Sequence, residues 1–252
     1  MTTTSNTSSR NRRLVSMTPA VALAGVLALA GCGDDEGASE EYEEFCANDL
    51  ALEHALATED MEAAQTAMAD LVESAPDDDA RDKAQATIDA FGALQGPPDA
   101  AFNETYGDLM AIVKDNCGFN EVAIEATEYS FSGVDDELDA GPTVVTFDNT
   151  GDEYHEVAIM RRVDGDETPI MDLLAMDEEE AMGLVEPVGG AFAGPGVTSY
   201  TLVDLEPGNY VMVCFLPEGA TQEAFDEMMA GGAEPDGQPH AMHGMTDEFE
   251  VK

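Results

Sequence analysis

The sequence predicts an α+β chain in which an N-terminal helical domain resembling a four-helix bundle is followed by an antiparallel β-sandwich. Three observations predict it. Apolar residues recur at three- and four-residue steps between Leu52 and Val113. From Glu121 onward they alternate instead, in short runs separated by Gly, Pro, Asn and Asp. Two cysteines, Cys46 and Cys117, flank the helical stretch. The expected organisation is an export signal over 1–31, an acidic tether over 32–41, a helical domain over 42–118 and a β domain over 119–252.

The first segment carries Arg10, Arg12 and Arg13 ahead of an apolar run from Val21 to Ala30. That run is too short to span a bilayer and ends in small residues, as an export signal does. It closes on Leu29-Ala30-Gly31-Cys32, which resembles the bacterial lipobox. The resemblance implies cleavage before Cys32 and attachment of diacylglycerol to its sulfur, so that membrane lipid is an expected partner. Two acyl chains bury enough methylenes for stable anchoring, where one would not. Arg12-Arg13 loosely suggests the twin-arginine route, although Leu14 and Val15 are poor matches to what usually follows. Residues beyond Cys32, including Asp34, Asp35 and Glu36, lack apolar periodicity and read as a tether.

All 54 acidic residues lie beyond Cys32, against six of the nine basic ones, so the exported chain carries a net charge near −48. Nucleic acid is excluded as a partner, because phosphate binding needs clustered Lys and Arg. Such self-repulsion is relieved by salt, which suits a saline setting, and it also keeps a tethered domain soluble.

In the helical domain the apolar steps are Leu52, Ala55 and Leu56; Met61, Ala64, Met68 and Leu71; Ala84, Ile88 and Phe91; and Phe102, Tyr106, Leu109 and Val113. Thr58 is a candidate cap for the second helix, Ala75-Pro76 and Gly96-Pro97-Pro98 break the chain, and Cys117-Gly118 stops the fourth helix. Four helices with short connections pack most simply up-down-up-down. The start of the first and the end of the fourth then share a pole, which places Cys46 beside Cys117. A disulfide there removes roughly 4 kcal/mol of unfolded-state entropy. With Cys32 lipidated, Cys214 is left unpaired. His54, with no second His or Cys at helical spacing, reads as structural.

In the β domain the alternating runs are Val122-Ile124-Ala126, Val144 to Phe147, Val157-Ile159, Tyr200-Leu202 and Tyr210 to Phe215. Turn residues separate them at Asp139-Ala140-Gly141-Pro142, Asn149-Thr150-Gly151, Gly194-Pro195-Gly196 and Glu206-Pro207-Gly208. Two insertions look helical. One opens at Thr168-Pro169 and includes the capping-box-like Asp177 to Glu180; the other runs from Thr221 to Ala230 and ends at Gly231-Gly232.

The chemistry gathers in this domain. Cys214 ends a strand, and His155, His240 and His243 are three of the chain's four histidines. Met242 and Met245 flank His243, so one segment offers imidazole and thioether beside a lone thiol. Thiolate, thioether and imidazole together form the ligand set for copper, whereas hard cations want carboxylates.

Those residues resemble the cupredoxins, or blue-copper proteins, a Greek-key sandwich family. Gly208-Asn209-Tyr210-Val211-Met212-Val213-Cys214 looks like the family's Gly-x-Tyr-x-Phe-x-Cys strand, with Met212 in the aromatic place. His240-Ala241-Met242-His243-Gly244-Met245 is similar to its His-x-x-x-Gly-Met segment, and Asn149-Thr150-Gly151 to the turn that presents the first histidine. The likeness covers residues 120–252. The chain also looks like actinobacterial lipoproteins that join a helical segment ending in Cys-Gly-Phe, here Cys117-Gly118-Phe119, to such a domain. The resemblance implies one copper of type 1 character, held by His155, Cys214 and His240 with Met245 axial. His243 and Met242 are the alternative ligands. Two departures stand out. Twenty-five residues separate Cys214 from His240 where the family's carriers keep only a few, and Glu156 follows the first histidine where many relatives carry Asn. The second departure puts in doubt the hydrogen bond that steadies the cysteine loop.

The expected function is one-electron transfer to a protein partner. Copper storage or delivery is the alternative, for which Met228, Met229, Met242 and Met245 offer soft sulfur, and a copper-free binding module is a third. Catalysis is not expected: no Gly-x-Ser-x-Gly, His-Glu-x-x-His or phosphate loop is present, and multicopper enzymes need more than four histidines.

Overall fold

In the computed structural model, the described residues are 38–94, 96–232 and 235–252. The signal segment, Cys32 and most of the tether lie outside them. Helices α1 (Glu43–Ala57), α2 (Met61–Ser74), α3 (Asp78–Ala93) and α4 (Ala100–Asn116) open the chain. Three of them begin on an aspartate that accepts a backbone amide: Asp60 from Ala63 at 3.0 Å, Asp77 from Ala80 at 2.8 Å and Asp99 from Phe102 at 2.8 Å. Each such cap is worth about 1 kcal/mol. Thr58 does not cap α2. It closes α1, its hydroxyl donating to the His54 carbonyl at 2.8 Å, because α1 runs on until the backbone turns at Thr58 and Glu59. Gly118 takes φ 60° at the end of α4, where a side chain would be strained.

Phe45, Leu52, Leu71, Leu109, Met110 and Val113 form the centre of the helical core. Cys46, in the first turn of α1, is bonded to Cys117, the C-cap of α4, with 5.7 Å between their Cα atoms. The start of α1 and the end of α4 therefore meet, as a four-helix up-down arrangement requires.

Nine strands follow: β1 (Asn120–Thr127), β2 (Ser130–Ser132), β3 (Glu137–Leu138), β4 (Gly141–Asn149), β5 (His155–Arg162), β6 (Val185–Ala193), β7 (Thr198–Leu205), β8 (Gly208–Val213) and β9 (Thr246–Val251). Short helices α5 (Ile170–Leu173), α6 (Glu178–Ala181) and α7 (Gln222–Met229) occupy the two insertions, and a 3-10 turn spans His240–His243. One sheet has the order β2-β1-β4-β7 and the other β3-β9-β8-β5-β6. The sandwich is mixed rather than wholly antiparallel, since β1 runs parallel to β4 and β3 parallel to β9. A parallel pair needs a long crossover. Residues 128–140 supply it for β1 and β4, pairing as β2 with one sheet and as β3 with the other.

The strand β6 has no counterpart in the sequence reading, because Pro187 and Gly189-Gly190 look like breakers. It lies on a sheet edge, where proline is tolerated, opposite an irregularity between Ile159 and Met160. A Cβ on Gly189 would come 2.5 Å from the Val203 side chain, and one on Gly190 2.7 Å from the Val157 carbonyl, so the close approach requires glycine.

Ile124, Phe147 and Val203 from one sheet meet Val157, Tyr210, Met212 and Phe249 from the other in the sandwich core. The outer face of the first sheet is also covered, with Val144 and Leu202 buried and Tyr200 partly buried against the helices. Double coverage accounts for the unbroken apolar pairs Val144-Val145 and Leu202-Val203, since each face of the sheet has something to bury against.

Candidate metal centre

The start of β5, the end of β8 and the start of β9 share one end of the sandwich, because β5 and β9 both run antiparallel to β8. His155 opens β5. The loop before it is held by Asn149, whose amide donates to the carbonyls of Glu153 and Ala193, each at 2.8 Å, while its oxygen accepts from Gly151 at 2.9 Å. Cys214 directly follows β8. Its amide donates to the Met245 carbonyl at 3.2 Å and its carbonyl accepts from Ala241 at 3.0 Å. Met245 in turn donates to the His240 carbonyl at 3.1 Å, and Gly244, at φ 105°, makes the tight return possible. The long connection between Cys214 and His240 folds back at its neck, where Glu218 donates to the Gln238 carbonyl at 2.8 Å and Pro217 bridges Pro239; α7 sits farther out.

His155, Cys214 and His240 each offer one ligand atom, all within 4.8 Å of one another. The two Nδ1 atoms are 3.1 Å apart, and Cys214 Sγ lies 3.3 Å from His240 Nδ1. All three residues are 0 % exposed, as is Met245. Behind each ring stands a carboxylate. Glu153 Oε2 lies 3.1 Å from His240 Nε2 and also accepts the Gly219 amide at 2.8 Å. Glu128 Oε1 lies 3.4 Å from His155 Nε2, within ion-pair reach though not aligned as a hydrogen bond. Tyr129 packs over His240 with ring centroids 4.6 Å apart.

One of these carboxylates sets a tautomer. A proton on His240 Nε2 faces Glu153, which leaves the Nδ1 lone pair of that ring turned toward the thiol and toward His155 Nδ1. Desolvation holds His155 and His240 below the ordinary imidazole range, and the carboxylates only partly oppose it, so both rings are neutral. Although desolvation acts against it, Glu128 is held below the usual carboxylate range by backbone amides, including those of Glu153 and Asp152, and stays anionic. Burial pushes the Cys214 thiol up to about 12.

Imidazole nitrogens bind first-row ions at about 2.0–2.1 Å, so atoms 3.1 Å apart can share one ion. Two imidazoles and a thiol suit copper by their softness, and copper fits the residues present.

His243 does not join the cluster. Its Nε2 lies 3.6 Å from Glu218, its side chain is one-third exposed, and its ring stacks on Tyr129. Met242 is exposed. Met245 is buried in the same core as Cys214. The bond placed in doubt by Glu156 is present after all: its Oε1 accepts the Phe215 amide at 3.0 Å, a carboxylate oxygen doing the work of an amide oxygen. Glu128 and Glu153 have no counterpart in the sequence reading. In a chain with 54 acidic residues Glu153 is signalled only by standing two positions before His155, and Glu128 by nothing in the sequence.

No protein-family model matches the chain, and no curated protein matches it. Solved structures similar to it cover 53 % of the chain. Among them are dithionite-reduced auracyanin from Roseiflexus castenholzii, 20 % identical over 97 % of that chain with a TM-score of 0.33, and auracyanin A from Chloroflexus aurantiacus, a "blue" copper protein, 16 % identical over 100 % of that chain with a TM-score of 0.30. Rusticyanin from Thiobacillus ferrooxidans is 21 % identical over 78 % of its chain with a TM-score of 0.30. A multi-copper oxidase from Pediococcus acidilactici is 11 % identical over 26 % of its chain with a TM-score of 0.29. By its own sheet order and its own buried donors, the β half of this chain is a mixed two-sheet sandwich carrying, among the described residues, one His–Cys–His cluster whose donor set suits copper.

Proposed function

We propose that this protein is a one-electron carrier of the cell envelope, in which His155, Cys214 and His240 would hold one copper with Met245 as a candidate fourth donor, and a lipid on Cys32 tethers the chain. The observation that carries the reading is the convergence of two imidazole Nδ1 atoms and one thiol on fully buried residues. Copper held there supplies a Cu(I)/Cu(II) couple. Cys214 would hold the ion as a thiolate, and burial alone keeps its thiol protonated. Glu153 holds the His240 ring through its Nε2, and Glu128 lies within ion-pair reach of His155. The backbone bonds among Cys214, Ala241, His240 and Met245 hold the donors in place, which favours electron exchange with little rearrangement.

Delivery of copper to another protein calls for ligands that a partner can reach, and the three donors here are fully enclosed. The same enclosure leaves no room for a substrate, so the carrier is proposed without catalysis. Spectroelectrochemistry of the copper-loaded chain tests the reading. A strong band at the red end of the visible spectrum, bleached by one electron and restored on reoxidation, is expected. Colourless protein that takes up Cu(I) would point to storage or delivery, and no uptake to a copper-free module.

A further inference from the structure

Between the helices and strands β5, β6 and β7, where the edge of one sheet meets the edge of the other, lies a cleft of about 440 Å³, within the size range of small-molecule sites. Its walls are largely apolar and aromatic, with Leu52, Leu56, Phe91, Phe102 and Tyr200 among them. Three carboxyl residues line it: Asp49, Glu53 and Glu156, the last already accepting the Phe215 amide. Asp49 and Glu53 stand one turn apart on α1, on one helix face. Asp49 is fully buried, and neither of its oxygens has a hydrogen-bond partner among the described residues. Asn103 Nδ2 and Ser199 Oγ, from two other cleft-lining residues, are buried and unpartnered in the same sense. Glu53 accepts from the Tyr106 hydroxyl at 2.8 Å.

A buried carboxylate without a partner is costly. Desolvation accordingly drives Asp49 well above the carboxylate range. No Lys or Arg lines the cleft, and the basic residues of the helical half are engaged elsewhere: Arg81 with Asp78, Lys83 with Asp108, Lys114 with Glu121. Left alone Asp49 keeps its proton, and it ionises only beside a cation, which no lining residue supplies and which must come from outside the chain. Hard metal ions want six or more oxygens, and among the described residues the His155–Cys214–His240 group is the one cluster of three or more such side chains able to hold a metal.

We propose that this cleft binds a small organic amine in its protonated primary or secondary form, the ammonium N–H groups donating to Asp49 and the apolar body lying against the aromatic wall. A quaternary ammonium has no N–H to satisfy the Asp49 oxygens. Ring faces add cation–π attraction, and the strong negative charge of the chain raises the local concentration of any cation. Asn103 Nδ2 and Ser199 Oγ can meet a hydroxyl on the same molecule. The proposal is independent of copper.

Titration calorimetry of the full chain with 2-phenylethylammonium in about 0.15 M salt, where distant charges are screened, tests it. Saturable one-to-one binding is expected, with the neutral isostere 2-phenylethanol at least about tenfold weaker, as loss of a charge-assisted bond implies. Asp49→Asn is expected to weaken amine binding by a similar factor. Should Asp49→Asn lack a cooperative unfolding transition, Leu56→Trp, which fills the cleft from a partly exposed position, takes its place and is expected to block binding. Absence of saturable binding, equal binding of the alcohol, undiminished binding in the folded variant, or stoichiometric displacement by calcium would each overturn the proposal.

Discussion

Glu53 gives the fold a dependence on pH opposite to that of a salt-bridged carboxylate. Its residue is partly exposed, yet its carboxyl is enclosed, and desolvation raises it from 4.5 to about 7 against the lowering effect of the Tyr106 hydroxyl. Between those values the folded chain holds a proton that the unfolded chain has released. The contribution of Glu53 to folding stability is therefore fully present below pH 4.5, falls as pH rises, and is lost above about 7. At about 1.4 kcal/mol for each pH unit, the loss is at most about 3 kcal/mol. Glu53→Gln keeps the volume and an oxygen for Tyr106 while removing the titration. Urea unfolding of the amine-free chain and the variant at pH 5 and pH 8 isolates the effect. The variant is expected to gain about 1–3 kcal/mol over the unmodified chain between pH 5 and pH 8. An unchanged difference at the two pH values, or a growing advantage of the unmodified chain at pH 8, would refute the burial argument.

Three further outcomes follow from named contacts. Replacing both Cys46 and Cys117 by Ala, or reducing their bond, is expected to cost about 4 kcal/mol in unfolding experiments, and thiol labelling of the native, copper-free chain should spare both. Met245→Leu should keep a coloured copper site with a raised reduction potential in voltammetry, because a weak donor to Cu(II) is lost, whereas His243→Ala, which sits outside the cluster, should leave the potential nearly unchanged. Cys32→Ser should release the protein from washed membranes while leaving the circular dichroism of the folded part as it was.

Much of the helical half was legible because caps, breaks and apolar steps agree there. The exception, Thr58, fails because a threonine hydroxyl can serve either end of a helix, and only Asp60 reaches the amides of α2. In the β half, alternation locates strands but carries no direction, so the parallel pairing of β1 with β4 could not be read. The strand β6 was hidden by Pro187, Gly189 and Gly190, residues that mark a loop until a neighbouring sheet explains them. Burial of both sheet faces did leave a trace, the adjacent apolar pairs at Val144-Val145 and Leu202-Val203. The donors His155, Cys214 and His240 were visible because histidine and cysteine are scarce here, and Glu156 because it stands beside the first of them; Glu128 and Glu153 were not, because carboxylates are everywhere.

The central claim is that one copper sits among His155, Cys214 and His240. Titration of the full, reduced chain with Cu(II), followed by visible absorption and electron paramagnetic resonance, tests it most directly when run beside Cys214→Ala, His240→Ala and His243→Ala. The account predicts saturation at one copper per chain with an intense Cys-to-Cu(II) band, no band in Cys214→Ala, a bleached or strongly shifted band in His240→Ala, and a normal one in His243→Ala. A band that survives in Cys214→Ala, or that is lost in His243→Ala and kept in His240→Ala, would contradict it.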